Sequence, residues 1–495
     1  MTALRGRRRE RLAPAALLTG AVVASVAAGA VATSDFALPV AGVSAALAAV
    51  AVLARRFGLG VLIGILVLGT IDALPGPSLA YAQLPLGSNA TDALIALLLA
   101  TLIVDNAQLG FRNLRQSPIG RASVAWSVLL AVYWLITVVR TSIVHDASMF
   151  TGGAFGRDFL YFALLVPLFV GTLHRKPVRV PLLYTLAIGS LMVSIGHVAV
   201  TLGLGDLSVV VHTTRTLISG DLVRVYALSN DLVGAALSLA VGAALLGNGA
   251  RFRLIGAGLA AITGVEVALQ LTRARYIGVL AGLAWAVFIW LLMRDEAARL
   301  GRRQVAKFAV TGALLLVAVF AYQPTTVARS AVNNVTQRFT SVFAEATSDA
   351  GRENTVAYRV RLSRRMRQAL GSSWPAGLGF VSPEVVYDPN LPRGSIRNSD
   401  VGVFNSLMTM GIIGTLLVYI PVLTAVIGLA WRRLARLSDE HDAWLEFGVF
   451  AWCVFALVSS GSLGALFSAS GLLITSLMLG LGASAMVRGS AHRPA

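Results

Sequence analysis

The side chains of this protein best suited to chemistry are arginines and one carboxylate, and they fall in a few short stretches. The stretch RGSIRNSDVGVFNSLMTMGIIG holds Arg393, Arg397, Asn398 and Asp400, then passes straight into an apolar run containing Gly411 and Gly414. Upstream, NTVAYRVRLSRRMRQAL carries Arg359, Arg361, Arg364, Arg365 and Arg367. Arg215, Asp221 and Arg224 precede Asn230-Asp231, and LTRARYIG sets Arg273 and Arg275 in a short turn. A guanidinium fork matches phosphate oxygens two at a time, so such a set can grip a diphosphate. Arginines from separate segments repel one another, and an anion among them relieves that repulsion.

Each of these residues also has a plainer use. An arginine at a helix end can snorkel to the membrane surface. In the stretch around Arg361, Tyr358, Leu362, Met366 and Leu370 recur at i, i+4, with Arg361, Arg364, Arg365 and Gln368 mostly on another face. An amphipathic helix of this kind lies along a membrane and can touch anionic headgroups. Asp400 can pair with Arg397 instead of taking part in a reaction.

The elements that must position these groups are membrane spans. The chain has 495 residues, 56% of them hydrophobic and only 13% charged, whereas about a quarter of a soluble domain is charged. Its apolar runs are about 20 residues long, enough for ~30 Å of hydrocarbon. They predict an all-α polytopic membrane protein of about fourteen helices. The expected spans begin at Leu12 and continue at 37–54, 57–74, 90–109, 122–144, 157–173, 181–203, 229–247, 252–271, 276–293, 307–323, 403–428, 443–460 and 464–487.

Arginine placement fixes the expected orientation. The N-terminus carries Arg5, Arg7, Arg8, Arg9 and Arg11 ahead of the first run, read as a span with a cytoplasmic N-terminus. Alternate connections hold Arg55-Arg56, Arg112/Arg115/Arg121, Arg175/Lys176/Arg179, Arg251/Arg253, Arg294 to Lys307, Arg432/Arg433/Arg436 and the tail. The positive-inside rule puts all of these, with both termini, in the cytoplasm. The opposite connections, around 72–89, 145–156 and 204–228, read as turns or modest loops. One is long: residues 1–323 hold the first eleven spans, 324–403 form an outer loop, and 404–495 hold the last three and a cytoplasmic tail. That loop has ten arginines against six acids, a surplus the rule permits only because long loops escape it. The net charge of +18 is therefore a matter of topology, and nucleic acid is not an expected partner. The single cysteine, Cys453, lies in an apolar run, which excludes a disulfide framework. The outer side shows no Asp-x-Asp pair and no His/Cys cluster, so neither metal nor cofactor is expected.

Three of these stretches together resemble the O-antigen ligase and polysaccharide polymerase superfamily. Thr272-x-Ala274-Arg275 is similar to that family's Thr-x-Ser-Arg turn, two spans before a long outer loop. Tyr358-Arg359 followed by Pro375-Ala-Gly377-Leu-Gly379 is similar to the family's Arg and Pro-Leu-x-Gly-x-Gly. Asp400 through Met410-Gly411-Ile-Ile-Gly414 resembles its His-Asn-x-x-Leu…Gly-x-x-Gly exit, and three spans follow, as in the family. The likeness covers roughly residues 215–430. Two positions depart from it. Ala274 stands for the usual Ser, and Asp400 stands where many members carry His. None of the six histidines (145, 174, 197, 212, 441, 492) lies in the loop.

The resemblance implies a bacterial inner-membrane enzyme of cell-envelope polysaccharide biosynthesis. It would move a glycan from a polyprenyl-diphosphate-linked oligosaccharide to a hydroxyl of an acceptor glycan or glycolipid, as a polymerase or a ligase. The other expected partners are the lipid bilayer and further polysaccharide assembly and export proteins. Under this reading Asp400 is the general base; partial burial would suit its pKa to that task. Arg275 and Arg359 stabilise charge growing on the leaving diphosphate, joined in binding it by Arg397, Arg224, Arg215, Arg338, Arg273 and Asn398. One direct displacement at the anomeric carbon would invert it. The alternative is a transporter or exporter of lipid-linked or anionic glycans, with no chemistry. Charged residues inside spans would favour it, and Glu266 and His197 are the candidates, each also readable as a satisfied buried polar group.

Overall fold

The structure is a computed structural model. It describes residues 58–74, 90–145, 148–201, 215–219, 222–227, 229–270, 273–292, 370–380, 402–435, 441–460 and 466–491, with Arg364 and Arg367 besides. In chain order come α1 (Leu59–Thr70), α2 (Ala90–Gln108), the short α3 (Arg112–Gln116), α4 (Pro118–His145), α5 (Met149–Leu173) and α6 (Lys176–Thr201). An antiparallel hairpin of β1 (Arg215–Ser219) and β2 (Leu222–Tyr226) follows. Then come α7 (Asn230–Leu246), α8 (Ala250–Leu269) and α9 (Arg273–Val287), the last running on as a π-helical turn, Phe288–Leu292. A 3-10 turn at Gly371–Ser373 precedes α10 (Gly402–Leu434), α11 (Ala443–Ser459) and α12 (Ala469–Ala491).

Among the described residues, seven helices are long and apolar enough to cross a membrane, and four shorter ones are also apolar. The expected spans from 57–74 to 276–293, and from 403–428 to 464–487, each coincide with one of these helices. The spans from Leu12 and at 37–54 and 307–323, and most of the 324–403 loop, lie outside the described residues. Helices are what apolar runs must form where no water can satisfy the backbone. Two connections expected on the outer side carry more structure than the hydropathy pattern gave them. Residues 149–156, expected as a turn, are the first turns of α5, and the 204–228 connection contains the hairpin.

Burial separates centre from rim. In α12, 89% of the spanning stretch is buried within the protein; in α4 the figure is 28%. Leu129, Leu135 and Ile136 of α4 face outward, as side chains in contact with lipid tails would. α11 packs on α7, α9, α10 and α12, and Trp452, Phe447, Phe450 and Cys453 sit fully buried at that junction. Lipid tails are as apolar as leucine, so close backbone approach rather than apolar burial holds such helices together. Gly242 of α7 and Gly448 of α11 supply it. A Cβ at Gly448 would come within 2.7 Å of the Leu239 Cα, and one at Gly242 would strike the Trp444 carbonyl.

Polar contacts fall into two layers at opposite ends of the bundle. In one, Asp105 accepts hydrogen bonds from Thr172 (3.0 Å) and Arg175, and Arg179 donates to Ser484 (3.1 Å) and Asp442 (3.2 Å). Arg432 joins the same layer through the Met486 carbonyl (2.8 Å), and Arg433 through the Trp290 carbonyl (3.1 Å) in the π-helical turn. These are helix ends that the arginine pattern assigns to one side, and they touch. The other layer holds the opposite ends.

Candidate functional site

The second layer is built around a break in α10. At Gly411 the backbone turns to φ 65°, ψ −169°, a left-handed φ suited to glycine. In an uninterrupted helix the N–H groups of Ile412 and Ile413 would donate to the Met408 and Thr409 carbonyls. Here all four groups turn to residues 374–379 instead. Ile412 N donates to the Trp374 carbonyl (3.0 Å) and Ile413 N to that of Pro375 (3.3 Å). In return, Leu378 N donates to the Met408 carbonyl (2.6 Å) and Gly379 N to that of Thr409 (2.9 Å). The Tyr133 hydroxyl donates to the Met410 carbonyl at 2.6 Å. The two glycine motifs noted in the sequence are therefore laced together backbone to backbone.

α4 holds the other edge of this loop segment. Arg140 donates through Nη1 to the Ala376 carbonyl (2.8 Å) and through Nη2 to that of Gly377 (2.6 Å). His145 Nε2 lies 2.8 Å from the Leu378 carbonyl, which fixes that nitrogen as the donor, and Phe380 N donates to Thr141 Oγ1 at 2.9 Å. Phe380 is buried, and its ring stacks on Phe159 at 6.0 Å over Gly156, where a Cβ would hit the ring. Phe159 touches Phe467, whose own neighbour is Tyr419 of α10.

Beyond Phe467 the chain reaches a buried polar network. Ser468 (3.3 Å) and Ser470 (2.8 Å) donate to Asp231 Oδ2 in the first turn of α7. Arg275 Nη2 donates to Asp231 Oδ1 at 3.2 Å, and its Nη1 donates to Gln270 Oε1 at 2.8 Å. Gln270 Nε2 in turn donates to Glu266 Oε1 at 2.6 Å. Glu266 also accepts from His197 Nδ1 (2.6 Å) and Ser194 (3.3 Å) on α6. Asp231, Gln270, Glu266 and His197 are all buried, and Arg275 is half-buried. Two of the five guanidinium N–H donors of Arg275 are used in these bonds, and among the described residues the other three meet no acceptor. The arrangement can hold an anion at Arg275 while Asp231 keeps the fork in place.

Of the residues assigned in the sequence to glycan transfer, Arg275 is the one with a described side chain. Arg273 is the first residue of α9. Arg215 and Arg224 lie on the paired strands, and the register (Arg215 with Tyr226, Leu217 with Arg224) puts both positions on one face of the hairpin. β2 packs on α6, the helix that carries His197. Arg338, Arg359, Arg397, Asn398 and Asp400 lie outside the described residues. At the loop end, Arg364 is exposed and Leu370 is buried, as the apolar stripe predicted for these two positions, and Arg367 is exposed as well. The sequence reading missed Arg140, His145, Gln270, Ser468 and Ser470. Arg140 had a legible signal, since a charge within an apolar run marks a functional position by default. Glu266 and His197 turn out to be paired with each other. Among the described residues, no three His, Cys, Asp or Glu side chains lie together where they could hold a metal ion.

A scan of the chain against protein-family models and a search of curated proteins find no match.

Proposed function

We propose that this protein is a metal-independent membrane glycosyltransferase of the O-antigen ligase and polysaccharide polymerase type. It transfers a glycan from a polyprenyl diphosphate to an acceptor hydroxyl at the outer face of a bacterial inner membrane. The observation that carries the reading is the seating of Pro375–Gly379 on the Gly411 break. Two motifs 32 residues apart by numbering, Gly379 and Gly411, meet at the end of the bundle where Arg275 is held ready. The chain between them contains Arg393, Arg397, Asn398 and Asp400, so both ends of that segment are tethered at this one place.

In this mechanism the arginines bind the diphosphate and stabilise the charge growing on it as it leaves. Asp231 and Gln270 orient Arg275 so that its free donors meet phosphate oxygens without further ordering. Asp400 takes the proton of the acceptor hydroxyl as that oxygen attacks the anomeric carbon. The purified protein should lengthen a polyprenyl-diphosphate-linked oligosaccharide in detergent without added metal, and Asp400→Asn should not. Failure of the wild-type protein with a range of such donors would overturn the reading.

A carrier of anionic glycans is the second reading, favoured by one observation: Glu266 and His197 are charged or titratable groups buried between spanning helices. Glycan uptake into proteoliposomes, with no new glycosidic bond, would select it.

A further inference from the structure

The hydrogen-bond chain does not end at Glu266. Its carboxylate receives three donors, from His197 Nδ1, Gln270 Nε2 and Ser194 Oγ. A carboxylate so surrounded is an acceptor, so the His197 hydrogen sits on Nδ1 and the lone pair of the neutral ring sits on Nε2. That Nε2 is buried and finds no hydrogen-bond partner among the described residues. His197 is 2% exposed, and together with Thr201, Glu266, Leu269 and Gln270 it lines a small cavity near the ends of α6 and α8. Protonation at Nε2 makes the ring a cation and turns its Nδ1–H hydrogen bond to Glu266 into an ion pair, which offsets part of the cost of charging a buried ring.

The relay to Arg275 is fixed in direction. Arg275 donates to the Gln270 carbonyl oxygen, and the amide of the same side chain donates to Glu266. A positive Arg275 opposes a second positive charge on His197, and an anion bound at Arg275 removes that opposition. The other charged or titratable groups on elements packed around the pair are Asp231 on α7, Asp72 after α1, Arg157, Asp158 and Tyr161 on α5, and Arg224 and Tyr226 on β2, with Lys176, Arg179 and Tyr184 in the first turns of α6 and Arg251 and Arg253 in the first turn of α8. Asp231 already neutralises part of the Arg275 charge, and Arg157 is paired with Asp92 at 2.9 Å.

We propose that His197 is a one-proton site whose occupancy is linked, through Glu266 and Gln270, to an anion at Arg275. The proposal rests on the reading of Arg275 as an anion ligand. By linkage the effect is reciprocal: the anion favours the proton and the proton favours the anion, by the same factor. A diphosphate arriving at the outer end draws a proton onto His197, and its release returns that proton. His197 thereby adjusts the charge around Arg275 without touching the substrate.

The test uses the full-length protein in nanodiscs with ¹⁵N-labelled histidine, titrated with and without a short-chain prenyl diphosphate. His197→Gln identifies the His197 signal. The neutral ring should show the Nδ1–H tautomer. The titration midpoint should rise with the diphosphate, and the diphosphate should bind about fivefold tighter below that midpoint than above it. The pH dependence should vanish in His197→Gln. In Glu266→Leu, which removes the acceptor that His197 Nδ1–H and Gln270 Nε2 share, the fixed tautomer should be lost. Binding with an unmoved midpoint would overturn this proposal and leave the reading of Arg275 standing. Absence of any binding, or equal binding by Arg275→Gln, would overturn that reading and the proposal with it.

Discussion

Gly377 and Gly411 lie so close that a methyl group on either would collide with the backbone of the other. Both also have positive φ, 72° and 65°. Alanine at either position therefore meets two obstacles, the left-handed backbone and the collision. The strain alone is about 1–3 kcal/mol. Gly377→Ala should release the loop from α10 while the bundle stays folded. Limited proteolysis should then cut near residue 380 at least tenfold faster than in the wild type, and glycan transfer should fall in parallel. Intact protection with normal transfer would show that the seating is incidental.

Arg140 makes the complementary contact, with both Nη atoms on successive carbonyls. Charge-assisted bonds of this kind contribute about 1.5–3 kcal/mol each. Lysine keeps the charge but offers no planar fork. Arg140→Lys should weaken the clamp in part and Arg140→Leu should remove it. The order of proteolytic susceptibility should be wild type, then Lys, then Leu. Equal susceptibility of all three would mean that Thr141, His145 and the backbone bonds to α10 hold the segment without Arg140.

What the sequence made legible follows from physical range. Long apolar runs specify spans because lipid admits few alternatives, and the helices from Leu59 to Leu292 and from Gly402 onward lie where those runs do. The glycine motifs stood out by their likeness to a family, and the positive φ of Gly377, Gly379 and Gly411 supplies the backbone reason for glycine that the sequence did not state. What escaped were partners distant along the chain. Nothing near Asp231 in sequence announces Ser470, and nothing near Ala376 announces Arg140. The β1–β2 hairpin escaped for a different reason: its pattern in TLISGDLVRVY was short and sat between much stronger helical signals.

The Arg275–Asp231 pair invites a charge test. Both side chains are largely removed from solvent, at 15% and 8% exposure. Removing one partner of such a pair leaves a buried charge and costs about 3–5 kcal/mol. Asp231→Ala should lower the thermal midpoint of the detergent-solubilised protein by several degrees. Arg275→Gln, which can still hydrogen-bond Gln270, should cost less stability and yet abolish diphosphate binding. A stable Asp231→Ala protein with full activity would show that Arg275 is held by Gln270 alone.

The orientation of the bundle can be read with reporter cysteines. The one native cysteine, Cys453, is fully buried and its thiol should stay silent toward a bulky maleimide. Ser148, before α5, and Asn248, before α8, are both exposed and lie at opposite ends of the bundle. Asn248 sits beside His441, donating to its carbonyl at 3.3 Å, in the layer that gathers Arg179, Arg432 and Arg433. Ser148 lies close in sequence to His145 and so to the loop-bearing end. The positive-inside rule puts the arginine layer in the cytoplasm. A membrane-impermeant maleimide should therefore label Ser148→Cys in intact cells and Asn248→Cys only after the membrane is opened. The reverse pattern would turn Arg275 and the Gly411 break toward the cytosol. An outer-face transferase could not work from there, because its lipid-linked donor and its acceptor would both lie across the bilayer.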